Sequence, residues 1–269
     1  DHFPGGFYHK GVPNTNYKTP APYSLPYRAL YSENVENLFF AGRNISMTHM
    51  AMSSIRVMAT CALLGEAVGK AVAIAVKNSI TPHDVYCSKL DLLQELLMRE
   101  GCFLPSKTRK ISPLCSKAKL SLGSDVLRNG QDRAHAIYNT DDESCSYKAE
   151  PEAAICYSFD EADIHSVHIE FCSDLNRDTL PGSDCERNHM MRANIKLDSP
   201  QMYMPKTLCK EFKLIGKLNG ETYELLHVVN NRKRSYHLNI DKKLDTLTLI
   251  PVNSWGEGDK IPVISFDFC

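Results

Sequence analysis

The residues with the clearest chemical potential lie between Asn37 and Gly69. A short apolar run ends at Gly42 and Arg43, a polar turn follows, and a long stretch rich in Ala and Gly comes next. Such a run, turn and helix bring backbone N–H groups and the positive end of a helix dipole to one point. The arrangement suits an anionic or electron-rich cofactor edge, and it also occurs in ordinary packing units of α/β proteins.

Specific sequence blocks narrow this choice. They occur in order along the chain: Pro26–Arg28, Asn37–Arg43, Ser46–His49, Ser54–Met58, Thr60–Cys61, Leu64–Gly69 and the trailing segment 93–105. Together they resemble the C-terminal end of the FAD-dependent oxidoreductase family, which is related to the flavoprotein component of heterodisulfide reductase, over about residues 17–105. The resemblance implies an FAD cofactor and hydride transfer between a small organic substrate and the flavin.

The resemblance also implies which residues bind the cofactor. Backbone N–H groups of the turn and the Arg43 side chain would meet the pyrophosphate and ribityl chain, and the start of the following helix would lie against the pyrimidine edge of the flavin. The implied cofactor-binding residues are Ala41, Gly42, Arg43, Ser54, Ile55 and Arg56.

Three side chains are implied to act on the substrate. His49 would face the flavin ring as proton donor, base or substrate ligand, and a histidine that caps the turn backbone is the alternative. Arg43 and Arg56 would hold a substrate carboxylate or a cofactor phosphate, and structural ion pairs are the alternative. Tyr27 and Arg28 would border the substrate face.

Some elements of the family are missing from the sequence. No GxGxxG motif occurs, although the family binds the ADP part of FAD through one. The chain is therefore expected to be the C-terminal part of a flavoenzyme that needs an N-terminal FAD-binding portion as its partner, and to be inactive alone. Some relatives bind a 4Fe–4S cluster through cysteines, but no cluster-type spacing occurs here, so neither a cluster nor another metal is predicted.

The elements that must position these residues follow from periodicity. Asn37–Gly42 reads as a buried strand, and a helix is predicted from about Ser53 to Lys77, with Gly65, Gly69 and Ala73 forming a small-residue stripe. Glu66 and Lys70 lie near the centre of that helix and favour packing inside a protein over insertion in a membrane. A second helix is predicted over about residues 88–100.

The second half of the chain has a different texture. Residues 106–118 are basic and polar and predict an exposed linker, while residues 119–269 show period-two alternation and a hairpin signal at Asn219-Gly220. Five stretches in this half resemble a discoidin-like β-sandwich that is appended to some members of the family: Val167–Phe171, Ser173–Arg177, Met204–Leu208, Val229–Arg232 and Ser254–Gly256. The predicted class is thus α/β plus all-β: the incomplete C-terminal end of a Rossmann-like FAD-binding domain (1–105), a linker (106–118) and a β-sandwich (119–269).

Two functions therefore remain open: a part of an FAD-dependent oxidoreductase, or a non-catalytic carbohydrate-binding sandwich attached to a flavoprotein remnant. The single tryptophan, Trp255, is a sugar-stacking platform in the second case or a packed loop anchor. The 31 basic and 32 acidic residues provide no field that would attract nucleic acid. Ten scattered cysteines without a CxxC pair predict a reducing, cytoplasmic location.

Overall fold

Two compact units make up the chain, which we describe from a computed structural model. The first unit comprises residues 1–97 and the second residues 98–269. The structure describes residues 23–105, 107–133, 145–174, 204–256, 258 and 260–269. Each unit is described by itself.

The first unit begins with a short 3-10 turn, Tyr27–Leu30, that lies beside the predicted strand. Backbone bonds run from Phe40 N to Leu30 O (2.8 Å) and from Ser46 N to Ala29 O (3.0 Å). The predicted strand at residues 37–42 is reduced to one isolated bridge between Tyr31 and Phe39. These few bonds hold the Gly42 turn against the 3-10 turn.

The predicted long helix is divided into two. Helix α1 spans His49–Ile55 and helix α2 spans Met58–Asn78. The Ser53 hydroxyl donates to Met50 O (2.7 Å) and the Ser54 hydroxyl to Ala51 O (3.0 Å). Serine hydroxyls that bond nearby carbonyl groups compete with the helical ladder, which accounts for the end of α1 at this point.

Helix α2 leaves much of its surface uncovered. An added Cβ at Gly65 or Gly69 would meet nothing within 4 Å, so the predicted small-residue stripe faces open space. Within the described residues, α2 is the one helix long and apolar enough to cross a membrane, and 22% of that stretch is buried. Lys70 and Glu66 form an i,i+4 ion pair at 3.8 Å on its surface.

Two shorter helices follow, where the sequence predicted one. Helix α3 spans Pro82–Ser88 and helix α4 spans Leu90–Arg99. Thr81 begins α3 with a capping box: its hydroxyl accepts from Asp84 N, and the Asp84 carboxylate accepts from Thr81 N. Thr81 and Pro82 therefore begin a helix at this point in the chain.

The described residues of the second unit form an antiparallel β structure that includes a short helix, α5, at Pro113–Lys117. The strands are β1 (Lys119–Leu120), β2 (Tyr147–Ala149), β3 (Ile155–Phe171), β4 (Cys209–Leu218), β5 (Glu221–Val228), β6 (Ser235–Ser254) and β7 (Ile261–Phe268). Their sheet follows the order β2-β7-β3-β6-β4-β5, and β1 pairs with β3.

The two long strands β3 and β6 bend and contribute to both layers of a sandwich. Register shifts interrupt their pairing between Ser158 and Ala162 and between Ile164 and Ser166 of β3. Beyond the bend, Phe268 of β7 pairs with Val167 of β3, yet its ring lies 5.3 Å from that of Tyr157 before the bend. The two halves of β3 therefore face each other across one core, as predicted for a β-sandwich.

The predicted linker is instead part of the β unit. Arg109 and Cys115 are buried, and α5 packs on β3 and β7. Residues 107–118 are rich in basic and polar side chains, but Arg109 is held by buried carboxylates far along the chain. Composition alone therefore gave the wrong expectation here.

Candidate functional site

The Gly42 turn has the backbone and the space of a ligand-binding turn. Gly42 has φ +88°, a left-handed conformation that favours glycine. An added Cβ would meet only the Asn44 Oδ1 atom, at 3.9 Å, so the region in front of this turn is open. Ala41 is half-buried behind it and Arg43 is exposed beside it.

Ser54, Ile55 and Arg56 lie at the end of α1 and not at the start of a helix. Ile55 is buried, Arg56 is the C-cap, and the Ser54 hydroxyl lies 2.6 Å from the Tyr23 hydroxyl. The next positive end of a helix dipole is the start of α2, at Met58. Its N-cap residue, Val57, provides no side-chain hydrogen bond. The start of the long helix, predicted at about Ser53, is thus displaced to Met58.

His49 is the first residue of α1 and is exposed. The capping bond of this helix comes from Thr48, whose hydroxyl accepts from Ala51 N at 3.3 Å. Thr48 therefore caps α1, and both alternatives for His49, at the flavin or as a turn cap, stay predictions.

A buried polar cluster in the β unit was missed by the sequence analysis. Arg109 donates to both oxygens of Asp132 and both oxygens of Asp267, with its two Nη contacts to Asp267 at 3.1 and 2.8 Å. Asp132 also accepts from the Ser265 hydroxyl at 2.6 Å, and its Oδ1 lies 3.4 Å from His168 Nε2. The cluster lies on the face of β3 and β7 opposite the apolar core.

Mutual neutralisation sets the charges of this cluster. Burial alone would lower the pKa of Arg109, but the hydrogen bonds and charges of Asp132 and Asp267 raise it above its ordinary value. Burial would raise the pKa of Asp132, and the neighbouring His168 and Arg109 outweigh that effect and lower it. The Arg109–Asp132 pair therefore remains ionised in the folded protein.

Glu170, on the same face of β3, is held differently. Its Oε1 atom accepts from Arg234 Nε, whereas its buried Oε2 atom has no hydrogen-bond partner in the protein. Burial raises the pKa of Glu170, and the Arg234 charge opposes this only in part. Arg234 is fixed in turn by bonds to Ser173 Oγ (3.1 Å) and Asp132 O (2.6 Å).

A cavity of about 110 Å³ adjoins Glu170. Apolar and charged side chains both line it, and two of its lining residues, Gly101 and Lys107, are exposed. The lining also includes Met98, Phe103, Leu104, Glu170 and Arg234.

One family model matches most of the first unit. The family model described as FAD dependent oxidoreductase matches residues 2–97. Residues 2–97 match the FAD-dependent oxidoreductase family. No curated protein matches the chain.

Solved structures with some similarity are carbohydrate-binding modules. One is a GH31 CBM32-2 module bound to GalNAc (15% identity, TM-score 0.38, covering 61% of this chain and 98% of that one). Another is the family 32 module of Streptococcus pneumoniae EndoD (11%, 0.39, 59% and 99%). A third is the family 32 module of C. perfringens NanJ in complex with galactose (6%, 0.35, 59% and 97%).

Within the oxidoreductase segment, Tyr27 and Arg28 have packing roles. Tyr27 is buried and donates to Pro82 O at 3.1 Å, and Arg28 lies over the Tyr86 ring at 5.6 Å. In the β unit, Trp255 Nε1 donates to Asn231 O at 2.6 Å, which favours the loop anchor over a sugar platform. The described residues contain no group of His, Cys, Asp or Glu arranged to hold a metal.

The turn of the oxidoreductase segment fits the flavin end of FAD. An open, left-handed Gly42 leaves the space that a cofactor chain requires, and the start of α2 has N–H groups without a side-chain cap. Ala41, Gly42 and Arg43 would hold the phosphate and ribityl part, and Arg56 with the start of α2 would meet the flavin edge. The roles of these residues and of His49 stay predictions.

Proposed function

We propose that residues 23–97 form the flavin-end part of an FAD-dependent oxidoreductase site, completed by an ADP-binding segment outside these residues. The observation that carries the proposal is the open space in front of Gly42 within a segment that matches this family. The finer assignments, a Rossmann-like sheet, hydride transfer to a small organic substrate and the site residues, belong to this proposal.

Each residue of the proposed site would have a separate role. When bound, FAD supplies the capacity to accept or donate a hydride at N5. Because Gly42 has no side chain, the pyrophosphate and ribityl chain of FAD can approach the turn closely. The charges of Arg43 and Arg56 orient a cofactor phosphate or a substrate carboxylate. His49, exposed at the start of α1, would exchange a proton with the substrate.

The uncovered surface of α1 and α2 supports the need for a second segment. Met58 is 89% exposed and Val76 74% exposed, and Met50, Val57 and Leu63 are each more than half exposed. Apolar side chains concentrated on one helix mark an interaction surface. An ADP-binding segment packed there would bury them.

The proposal is tested by measuring the FAD content of a tagged copy of the protein. The copy is purified from its own cells together with any chain that completes the site. Gly42→Val should lose FAD because its side chain enters the open space, whereas Gly220→Val, at another positive-φ glycine with free space, should keep it. Arg43→Ala should weaken FAD retention. Unchanged FAD content in the Gly42→Val protein contradicts the proposal.

The role of His49 needs a separate measurement. His49→Ala should retain FAD and lower turnover by about 100-fold or more, the usual loss for a general acid or base. Equal turnover of the variant and the unaltered protein would make His49 structural.

The second proposed function is carbohydrate binding by the β unit. The specific observation that favours it is the cavity of about 110 Å³, which brings the apolar side chains of Phe103 and Leu104 together with charged Glu170 and Arg234. Saturation-transfer NMR with a panel of monosaccharides tests it on the full chain. Absence of any transfer at tens of millimolar sugar would contradict this second function.

A cytoplasmic location is part of the proposal. Six cysteines of the described residues carry free thiols, which supports a reducing compartment: Cys61, Cys87, Cys115, Cys156, Cys209 and Cys269. Fractionation of cells that produce the protein, with detection of the tagged chain, tests the location.

A further inference from the structure

We propose that Cys87 is a modification site, at which a thiol activated by His83 exchanges with small-molecule disulfides. The product is a mixed disulfide between Cys87 and one half of the reagent. The site lies on α3, and it uses none of the residues assigned above to the cofactor or the substrate. It is therefore independent of both proposed functions.

The first step of the argument is that Cys87 is accessible. Among the cysteines that the structure describes, Cys87 alone is exposed, and the others are half-buried or buried. The contact between its Sγ atom and the His83 ring also lies in an exposed position. A reagent in solution can therefore approach this thiol.

The second step is the proton acceptor beside the thiol. His83 Nε2 lies 3.4 Å from Cys87 Sγ, which is within hydrogen-bond reach for sulfur. The two residues are four positions apart in α3, so they share one face of the helix. An ordinary thiol is only a few per cent ionised at pH 7, and an adjacent base activates it by taking its proton.

The third step is that Tyr31 holds the His83 ring. The Tyr31 hydroxyl lies 3.0 Å from His83 Nδ1, and the two rings meet edge to face with their centroids 6.0 Å apart. Burial raises the pKa of Tyr31, so its hydroxyl stays protonated. It can accept a hydrogen bond from Nδ1–H, which makes Nε2 the atom that accepts the thiol proton. Tyr31 is therefore a positioning residue.

The fourth step is that the backbone elements carrying these side chains are joined. The Tyr27 hydroxyl, in the 3-10 turn, donates to Pro82 O at the start of α3 (3.1 Å). The backbone of Tyr31 pairs with Phe39, and the capping box of Thr81 fixes the first turn of α3. The geometry of the thiol, the imidazole and the phenol is thus set by the fold.

Charges of both signs surround the Cys87–His83 pair. The neighbouring titratable and charged groups are Arg28, Tyr31, Glu33, Asp84 and Tyr86. The Asp84 carboxylate is occupied by the backbone N–H and the hydroxyl of Thr81. His83 is the group in contact with the Cys87 sulfur, so the loss of the thiol proton is assigned to this pair.

The two groups are sufficient for thiol–disulfide exchange. The Cys87 proton moves to His83 Nε2, and the sulfur attacks one sulfur of the reagent. The S–S bond of the reagent breaks as the new S–S bond forms, and the leaving thiolate takes the proton from His83. One thiol and one disulfide thus give another thiol and another disulfide: Cys87 is oxidised and half of the reagent is reduced.

The test measures the rate of mixed-disulfide formation by the full chain with oxidised glutathione. Trypsin releases residues 78–89, in which Cys87 is the one cysteine, so mass spectrometry of this peptide follows the site. His83→Gln should slow the reaction at pH 7 about fivefold or more. At about pH 9.5, above the ordinary thiol pKa of about 8.5, the two rates should agree within about twofold, because the thiol then ionises without a base.

Tyr31→Phe should slow the reaction at Cys87 about twofold at pH 7, and the difference should likewise disappear at high pH. His227→Gln is the matched control, because His227 is paired with Glu211 and not with a thiol. It should leave the rate at Cys87 unchanged. Cys61, half-buried in α2 and the one cysteine of residues 57–70, should react equally slowly in every variant that remains folded.

His83 is exposed, so His83→Gln keeps the proposal testable even if Tyr31→Phe unfolds. Equal rates at Cys87 in the unaltered protein and in His83→Gln at pH 7 would overturn it. A loss in His83→Gln that persists undiminished at high pH would overturn it too, since that result would show a change in access and not in proton transfer.

Discussion

At the scale of single residues, the β unit depends on charges that are buried together. Arg109 is enclosed by two carboxylates from distant parts of the chain, Asp132 and Asp267. Removing one member of a buried ion pair costs more than the pair contributes, because the remaining charge stays buried. This principle gives the first prediction.

Asp132→Asn should lower the free energy of unfolding at pH 7 by about 3 kcal/mol. The folded pKa of Asp132 is lowered, so its contribution is present above its unfolded pKa of about 3.9 and is lost as the pH falls through the folded pKa. Urea unfolding can be followed by Trp255 emission from pH 7 to pH 2. As the pH falls, the free energy of unfolding should decrease more steeply in the unaltered protein than in Asp132→Asn. Parallel pH profiles for the two proteins would be inconsistent with this role of Asp132.

Gly130 offers a second residue-scale prediction. It has φ +75°, and an added Cβ would lie 2.3 Å from Arg109 O. Gly130→Ala should therefore destabilise the protein by about 3 kcal/mol. Gly220→Ala, with φ +87° and open space, should cost about 1 kcal/mol in the same urea experiment. Equal losses would mean that strain alone, and not the close approach to Arg109, decides the cost.

At the scale of elements, the segment before β1 belongs to the sandwich. Arg109 N donates to Gly130 O, and the Ser112 hydroxyl bonds Phe268 O. The segment also contains Arg109. Among the described contacts, Arg109 is the one cation that pairs with both Asp132 and Asp267. An independently folding unit must therefore include it.

Residues 98–269 should fold alone, with β-type circular dichroism and cooperative unfolding of Trp255. Residues 119–269 should be unfolded or several kcal/mol less stable, because Asp132 and Asp267 would be buried without Arg109. Circular dichroism and urea unfolding of both fragments provide the measurement. Equal stability of the two fragments would mean that residues 106–118 are an exposed linker, as composition predicted.

Local patterns predicted much of this fold, and distant contacts account for the rest. Alternation at Val167, Ile169 and Phe171 correctly indicated a strand with one apolar face. The same pattern gave no sign that His168 and Glu170 on the other face are buried too, because their polar partners are distant in sequence: Arg234 lies 64 positions after Glu170, and Asp132 precedes His168 by 36. The break between α1 and α2 was missed because it depends on serine side-chain bonds inside an otherwise helical sequence.

For the candidate site, sequence blocks located the Gly42 turn, and its positive φ agrees with a glycine requirement. Sequence alone placed Ser54, Ile55 and Arg56 near the start of a helix, whereas α1 ends at Ile55. The cavity beside Glu170 had no sequence signal, since no motif joins Phe103 to a strand residue 67 positions later.

At the scale of the whole molecule, the uncovered apolar side chains of α2 govern behaviour in solution. Residues 1–269 expressed alone should purify colourless and should self-associate. Met58→Lys and Val76→Lys should reduce association in analytical ultracentrifugation, whereas Val229→Lys, at a 56% exposed position in the β unit, should not. A yellow, monomeric protein would contradict the prediction.

The bend in β3 and β6 has a consequence for how this sequence tolerates change in length. Each long strand keeps one register before the bend and another after it, and the irregular stretch between them includes exposed Asp160 and Glu161. A residue inserted there would be taken up locally and would leave the inward and outward faces of both halves as they are. An insertion three positions earlier would exchange those faces. The bend can thus absorb an inserted or deleted residue. Differences in length among related chains should therefore concentrate at it.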